Sequence, residues 1–347
     1  MGRAVQGAVD VSRAQSVYVI AEAGVNHNGS LDLAFRLVDA AANAGADAVK
    51  FQTFESAALV SAGAEKAGYQ KQTTGADESQ LDMIRRLELS EADHVALINR
   101  CGEREIDFLS APFDTASVAL LERLGLETLK LPSGAITDLP YLRAVGALGH
   151  SLIVSTGMST LAEVADALTA LEAAGTPRAL VTLLHCTTEY PTPPEDVNLR
   201  AMATLAKSFG LPVGYSDHTQ GIAVPVAAVA LGAVVIEKHL TLDRTLPGPD
   251  HAASLEPGEF AQMVASIRVV SEALGDPTKA PTAAELENAR VARKSIVAAR
   301  DIAAGERLSS QNLTTKRPGT GISPMRWDSV VGTTAVRDFA RDEMISL

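Results

Sequence analysis

Two histidines of this sequence have the type and spacing expected of metal ligands. His218 lies in "GYSDHTQGI" and His239 in "VVIEKHLTL", and each follows an apolar, strand-like run. On neighbouring parallel strands the two imidazoles would share one end of a sheet, since adjacent strands lie about 4.8 Å apart. Two neutral imidazoles, completed by water or ligand oxygens, suit Mn²⁺, Mg²⁺ or Co²⁺. We therefore predict a metal site at His218 and His239, with hydrogen-bonded structural roles as the alternative.

Two lysines lie inside strand-like runs, Lys50 in "DAVKFQTF" and Lys130 in "ETLKLPSG". A lysine is seldom buried in a strand unless it is paired, so we expect both tips to reach the open end of the fold. Three hydroxyls follow strands of the same series: Ser133, Ser155 and Ser216. Ammonium groups and hydroxyls together form a receptor for a phosphate or carboxylate. A Schiff-base lysine and internal ion pairs with Glu22 or Glu237 are the alternatives.

Two acidic residues accompany these groups. Glu22 ends the first strand-like run and is a candidate general base, or a positioner of water, if its surroundings raise its pKa. Its alternative role is to pair with a lysine. Asp217 directly precedes His218 and could orient that ligand, but we favour a cap on the following helix.

The elements that must position these side chains alternate from Val17 to about Gly275. Eight strand-like runs occupy 17–24, 47–54, 106–113, 127–134, 152–158, 180–187, 211–217 and 233–240. The runs between them begin with Ser, Thr or Asp and end near Gly, as helices do. Eight such units over about 250 residues predict an α/β fold, a (β/α)8 TIM barrel with its chemistry at the strand carboxyl ends. The rival, a doubly wound sheet, normally has fewer strands and a Gly-rich dinucleotide turn, which this sequence lacks.

The periodicity divides the chain into domains. We predict a catalytic barrel over 1–275, a linker over 276–292 and a small β-rich domain over 293–347. A domain of that size is marginal by itself, so it should dock on another surface. The long segment 55–80 follows the second strand on the face that carries the chemistry. We expect it either to help cover the site or to be a mobile loop.

Composition and charge restrict the function. The 347 residues include 42 acidic and 30 basic side chains, for a net charge of −12. This balance disfavours binding to nucleic acid or to an anionic membrane. The two cysteines make neither a disulfide framework nor a cysteine zinc site. Because there is no apolar signal core and the apolar run 222–236 is too short for a bilayer, we expect a cytoplasmic protein.

Several motifs, in this order, resemble the sialic acid synthase family: "IAEAGVNHNGS", "LPSGAITDLP", "STGMS", "LHCTTEYPTPPEDVNL", "GYSDHTQGI", "EKHLTLDRTLPGPDHAASLEP" and "KRPGTGI". The resemblance covers about 17–347. It implies a TIM barrel followed by an antifreeze-like SAF domain of the β-clip type. In the family, that domain swaps within a homodimer and closes the partner's site.

The resemblance also implies a reaction. Such enzymes are metal-dependent transferases that condense phosphoenolpyruvate with an open-chain N-acetylated amino-hexose. The acceptor is N-acetylmannosamine or a 2,4-diacetamido-trideoxyhexose. The products are a nonulosonic acid and phosphate, which leaves with C–O cleavage.

Site residues follow from the same resemblance. The metal, most often Mn²⁺, would be held by His218 and His239. The phosphoenolpyruvate clamp would comprise Lys50, Lys130, Ser133, Ser155 and Ser216, with Thr188 nearby. The sugar contacts would be Gln52, Tyr190 and Asp250. Glu22 would be the acid/base residue, and Arg317 would hold the N-acetyl group in the partner's site.

The sequence departs from the family pattern at the acceptor. It has Ser133-Gly134-Ala135 where the family commonly has Ser-Gly-Glu, so a sugar-contacting carboxylate is missing. Loss of a polar partner disfavours N-acetylmannosamine. The motif "HCTTEYP", with Thr188, is closer to the legionaminate-type branch, which takes the diacetamido sugar. Two other functions remain open: a Schiff-base TIM-barrel aldolase, and a non-catalytic sugar-binding protein that uses the SAF-like tail.

Overall fold

The apolar runs form one parallel sheet of eight strands in a computed structural model of the protein, which describes residues 17–61, 64–66 and 79–347. The strands are β1 (Tyr18–Gly24), β2 (Ala48–Thr53), β3 (Asp107–Pro112), β4 (Thr128–Leu131), β5 (Ser151–Ser155), β6 (Val181–Cys186), β7 (Val213–Asp217) and β8 (Val235–His239). Their order is β3-β2-β1-β8-β7-β6-β5-β4, and β3 also contacts β4. The sheet therefore closes on itself, and the predicted barrel is confirmed.

Helices connect successive strands, and one more follows β8. They are α1 (Leu31–Asn43), α2 (Ser56–Leu59), α3 (Gln80–Arg85), α4 (Glu91–Glu103), α5 (Thr115–Arg123), α6 (Leu139–Gly146), α7 (Leu161–Ala174), α8 (Ala201–Phe209), α9 (Ala223–Ala230) and α10 (Pro257–Leu274). Capping side chains begin several of them, as at Ser30, which accepts a hydrogen bond from the N–H of Leu33. No helix within the described ranges is long and apolar enough to cross a membrane.

Strand alternation divides the barrel core into two layers. Val19 and Ala21 belong to the large cluster that includes the helices, whereas Tyr18 and Ile20 belong to a smaller cluster with side chains of other strands. Glu22 shares the face of Ile20, because successive side chains point to opposite sides of a strand. Apolar side chains thus fill one end of the barrel interior and polar ones lie further along the same strands.

Two predicted strand-like runs extend three residues beyond the strands that form. The fifth run was expected to extend to Met158, but β5 ends at Ser155. The fourth run was expected to extend to Gly134, but β4 ends at Leu131. Pro132 follows, which has no N–H to donate to a ladder. Ser133–Ala135 then form a 3₁₀ turn.

The chain divides into two compact units, the first ending at Gly275 and the second covering Asp276–Leu347. The second contains α11 (Ala283–Ala292), β9 (Ser295–Ala298), β10 (Leu313–Lys316) and α12 (Trp327–Val330), and β9 pairs with β10 in antiparallel fashion. It has its own apolar cluster around Ile296, Leu308 and Phe339. The segment predicted as a linker therefore carries a helix, α11, although none of its residues is buried.

A repeated turn organises the second unit. In each of the segments 300–306 and 337–343, the first residue is an arginine that pairs with a glutamate at the last position. Asp301 of the first segment accepts a hydrogen bond from a main-chain N–H of the second, and Asp338 of the second accepts one from the first. The two turns therefore stabilise each other reciprocally.

Candidate active site

A cavity of about 610 Å³ lies at the carboxyl ends of the barrel strands. Every barrel residue predicted for the site lines it: Glu22, Lys50, Gln52, Lys130, Ser133, Ser155, Thr188, Tyr190, Ser216, His218, His239 and Asp250. The remaining predicted residue, Arg317, belongs to the second unit, where it is exposed. The structure thus brings the barrel residues together, while the chemical roles assigned to them stay predictions.

Strand register places the charged residues at one level. Glu22 of β1 is the register partner of Lys50 on β2 and of His239 on β8. Ser216 of β7 is the partner of Glu237 on β8. Since register partners on the interior face of a closed sheet point the same way, these groups converge on the cavity.

Four buried charges form an alternating cluster. The Lys50 ammonium nitrogen lies 2.5 Å from a carboxylate oxygen of Glu22 and 3.6 Å from one of Glu237. That of Lys130 lies 3.5 Å from the other Glu237 oxygen, which also accepts a 2.8 Å hydrogen bond from Ser216. The ion pairs considered as an alternative for the lysines therefore exist, and the same lysines also line the cavity.

Glu237 is the functional candidate that the sequence prediction left out. It lines the cavity and contacts both lysines. The sequence spacing could have identified Glu237, because it precedes His239 by two residues and so shares its face of β8.

The two carboxylates differ in how readily they exchange a proton. Burial raises the pKa of Glu22 to about 7, although the nearby ammonium group of Lys50 opposes the shift. Burial also disfavours the charged form of Glu237, but Lys130 and Lys50 outweigh it and hold the pKa of Glu237 well below its usual range. Near neutral pH, Glu22 can therefore move a proton while Glu237 remains an anion.

The lysines differ in a corresponding way. Burial would lower the pKa of Lys50, but the carboxylates of Glu22 and Glu237 raise it above its ordinary value. Burial lowers the pKa of Lys130, and its single, longer contact with Glu237 offsets this only in part. Lys130 thus has more capacity to accept a new anionic partner.

The two histidines are suited to hold a cation. Their ring centroids lie 5.6 Å apart. His218 Nδ1 is 2.6 Å from the carbonyl oxygen of Thr187 and so donates to it, which leaves Nε2 as the lone-pair nitrogen. Nδ1 of His239 is buried without a hydrogen-bond partner. Burial lowers the pKa of both rings, so both are neutral, the form that binds metals.

The described part of the chain contains no cluster of three or more His, Cys, Asp or Glu side chains with metal-binding spacing. An ion at His218 and His239 would therefore take further ligands from water or substrate. The oxygen of Asp250 nearest to His239 is 4.0 Å from its Nδ1. Burial raises the pKa of Asp250 to about 6.

Predicted sugar contacts surround the histidines. The ring of Tyr190 lies 4.1 Å from that of His218 and 5.8 Å from that of His239. The Gln52 amide donates to Glu22 at 3.3 Å. The structure therefore connects this part of the site to both the histidines and the acid/base candidate.

Two residues of the predicted phosphoenolpyruvate clamp, Ser133 and Thr188, pack closely against Gly157. The N–H of Gly157 donates to the Ser133 hydroxyl at 2.9 Å. A Cβ atom at this position would lie 2.4 Å from the Thr188 hydroxyl and 2.9 Å from that of Ser133. The absence of a side chain at Gly157 is thus required for this arrangement.

One wall of the cavity is apolar. It is formed by residues from the β1 and β2 ends, α2, α3 and the β3 end: Val25, Phe54, Leu59, Met83, Ile84, Leu87 and Phe113. Within the insertion 55–80, which we expected to cover the site or to be mobile, the described residues Val60, Ser61 and Ala64 also line the cavity. Residues 62–63 and 67–78 lie outside the described ranges.

The expected role of Asp217 as a helix cap is wrong. Asp217 does not cap a helix, because α9 begins six residues later, at Ala223. Its carboxylate instead pairs with the buried Lys238. Ala135 packs in the main apolar cluster and is not among the residues that line the cavity.

Comparison with known proteins adds independent information. The model of the NeuB family matches residues 37–279, and that of the SAF domain matches residues 293–347. An N,N'-diacetyllegionaminic acid synthase of Campylobacter jejuni is 52% identical over 94% of this chain and 98% of its own length. One of Legionella pneumophila is 46% identical over 95% and 94%. The crystal structure of an N-acetylneuraminic acid synthetase from Leptospira borgpetersenii in complex with citrate has a TM-score of 0.69 and 36% identity, covering 79% of this chain and 90% of that one.

Proposed function

Because the chain belongs to the NeuB family, we propose that it is a transferase that condenses phosphoenolpyruvate with an open-chain 2,4-diacetamido-trideoxyhexose, giving a legionaminic-type acid and phosphate. The observation that carries the proposal is the convergence of Lys50, Lys130, His218 and His239 on one cavity. The proposal includes a homodimer in the cytoplasm, with Arg317 acting in the site of the partner subunit.

Phosphoenolpyruvate would bind at the lysine end of the cavity. The four charges of the alternating cluster nearly cancel, so an incoming anion needs a cation that is weakly paired. Lys130 meets this requirement, since its contact with Glu237 is 3.5 Å long. The hydroxyls of Ser133 and Ser155, which line the same cavity, would complete the receptor.

Glu22 would handle the proton. After C3 of phosphoenolpyruvate attacks the aldehyde, C2 is cationic and water adds to it, which releases a proton. A carboxylate whose pKa is about 7 can accept that proton near neutral pH. Lys50 holds Glu22 in place at 2.5 Å, and Glu237 keeps Lys50 charged throughout.

The histidine pair would hold a divalent ion, Mn²⁺ being our first choice. The orphaned Nδ1 of His239 and the hydrogen-bonded tautomer of His218 fit this role. When bound there, the ion would polarise the aldehyde oxygen of the acceptor as a Lewis acid.

The apolar wall favours a deoxy, diacetamido acceptor. Phe54, Met83 and Leu87 are largely buried and line the cavity. A methyl group gains free energy on such a surface, whereas a hydroxymethyl group or a phosphate loses hydrogen bonds to water there. The similarity to two legionaminic acid synthases agrees with this choice.

The test is a phosphate-release assay with phosphoenolpyruvate, Mn²⁺ and a panel of acceptors: N-acetylmannosamine, its 6-phosphate, and two diacetamido-trideoxyhexoses. We expect turnover to require both substrates and to be fastest with a diacetamido sugar. Equal or faster turnover of N-acetylmannosamine would contradict the acceptor, and no release with any sugar would contradict the reaction.

A Schiff-base aldolase is the second candidate function. Burial lowers the pKa of Lys130, and a lysine that acts as a nucleophile needs such a lowered pKa. Borohydride reduction in the presence of pyruvate distinguishes the two. A covalent adduct on Lys130 would favour the aldolase, and its absence during turnover favours the synthase.

A further inference from the structure

An ion pair lies behind the histidines, on the outer face of the barrel. Asp217 and Lys238 are register partners on β7 and β8, and each directly precedes one of the two histidines, His218 and His239. The Lys238 ammonium nitrogen is 2.5 Å from an oxygen of Asp217, and both side chains are fully buried. The pair is therefore adjacent in sequence to the histidines but is not part of the cavity lining.

Hydrogen bonds of the Asp217–Lys238 pair hold the residues on either side of His218. The Asp217 carboxylate accepts from the N–H of Thr219 at 2.9 Å, from the Thr219 hydroxyl at 3.1 Å and from the phenol of Tyr215 at 3.1 Å. Lys238 also donates to the carbonyl oxygen of Thr219 at 2.5 Å. The residues on both sides of His218 are thus held by one ammonium group that belongs to β8.

The opposite side of His218 is held by the segment after β6. The main-chain carbonyl of His218 accepts a hydrogen bond from the N–H of Thr192 at 2.9 Å, and the His218 ring donates one to the carbonyl of Thr187. The β7–β8 register ends at Asp217 and Lys238. The Lys238 side chain reaches past that end to Thr219 and so connects the loop of His218 to the strand of His239.

Stability alone does not account for such a pair. Removing two charges from water is costly, and apolar side chains of similar volume are often as stable or more so. Burial lowers the pKa of Lys238, with Asp217 opposing the shift, as expected for an ammonium group far from solvent. A geometric role would explain why charged groups occupy these positions.

We propose that Lys238 and Asp217 are positioning residues that set the distance between the imidazoles of His218 and His239. The pair acts by fixing the main chain on both sides of His218 relative to β8, in the way that outer hydrogen bonds orient metal ligands. The inference rests on the proposed function, since it concerns the residues that would hold the divalent ion.

The test uses the full chain and three variants. Lys238→Met leaves Asp217 buried without its cation and should lower Tm by roughly 5–10 °C. The double variant Asp217→Asn/Lys238→Met removes both charges, keeps an acceptor for the Thr219 N–H, and should recover most of that loss. Arg268→Met is the control, because Arg268 pairs with Asp47 at 2.7 Å elsewhere in the barrel.

Two measurements separate positioning from stability. In the double variant, Mn²⁺ affinity by titration calorimetry should remain about 10- to 100-fold weaker, although Tm has recovered. A crystal structure of the metal-free double variant should show the two imidazoles displaced from the 5.6 Å spacing of their centroids. The Arg268 variant should change neither quantity.

A double variant with unchanged imidazole spacing and Mn²⁺ affinity within twofold of the unmodified chain would overturn the proposal. If the unmodified chain itself binds no Mn²⁺, the metal in the proposed function is wrong, and the imidazole spacing still decides whether Lys238 and Asp217 position the histidines.

Discussion

Glu237 lies between two lysines that come from strands on other sides of the barrel, with Lys130 at 3.5 Å from one of its oxygens. The side chains of Glu237 and Lys130 are both buried, so water does not screen their charges. The contact joins β8 to β4, which are not neighbours in the sheet. Through this contact, the charges of Glu22, Lys50, Glu237 and Lys130 interact with one another across the barrel interior.

Glu22 should control the pH dependence of the reaction. The ionised form is the base, and its fraction increases as pH rises through about 7. We therefore expect kcat/KM to increase through that range, and Glu22→Gln to lower kcat roughly 10²- to 10⁴-fold and to abolish this limb. Steady-state rates between about pH 5.5 and 8.5 check the prediction, and a rising limb that persists in the Gln variant would contradict it.

Gly157→Ala should weaken phosphoenolpyruvate binding. The added Cβ would lie 2.4 Å from the Thr188 hydroxyl, so the clamp must shift. We expect KM for phosphoenolpyruvate to rise roughly tenfold or more. Gly134→Ala is the matched control, because Gly134 lines the same cavity but a Cβ added there would have no atom within 4 Å. Equal effects of the two substitutions would argue against the clamp.

His239→Ala should reduce metal affinity and lower kcat at least about 100-fold while the fold is kept. Dialysis against a chelator should likewise abolish activity, and Mn²⁺ should restore it in the unmodified chain only. Circular dichroism verifies the fold, and His150→Ala, at a half-buried position that pairs with Glu122, serves as the control. Full activity of the metal-free enzyme would exclude the metal role.

Arg317→Ala should affect the sugar and spare phosphoenolpyruvate. Loss of a charged hydrogen-bond donor to the N-acetyl group should raise KM for the acceptor roughly 10- to 100-fold. Arg326→Ala, another exposed arginine of the second unit, should leave KM unchanged. An unaltered acceptor KM in the Arg317 variant would remove the swapped-domain role.

Met83→Gln should relax acceptor discrimination. The substitution keeps the side-chain length but places an amide in the apolar wall. We expect the kcat/KM ratio between a trideoxy sugar and N-acetylmannosamine to fall roughly tenfold. Met325→Gln, an exposed position in the second unit, is the control. A ratio that does not move would mean that the wall plays no part in selecting the sugar.

The sequence predicted those features that depend on a single strand. Apolar runs marked all eight strands, and the expectation that their carboxyl ends carry the chemistry brought Lys50, His218 and His239 to one cavity. The sequence indicated Glu237 only as a possible ion-pair partner of the lysines and did not predict which contacts form across the barrel interior. Glu237 contacts Lys50 and Lys130, whose strands are not adjacent to β8, and no rule about neighbouring strands predicts that meeting.

Local competition explains the other errors. Aspartate is a common helix-capping residue, but Asp217 pairs instead with the buried ammonium group of Lys238 on the next strand. The N–H groups of the following helix begin only at Ala223. Within "IEKHL", Lys238 resembles an ordinary strand residue. Its partner becomes evident only when the register of β7 and β8 is known.

The reciprocal turns at 300–306 and 337–343 make the second unit indivisible. Each half contributes the aspartate that satisfies the other's main-chain N–H, so truncation after residue 336 would leave the remaining half without its complement. Added length between the two turns should be tolerated better than any insertion within either one. We therefore expect the second unit to fold as a single cooperative block, which cannot be divided between its two halves.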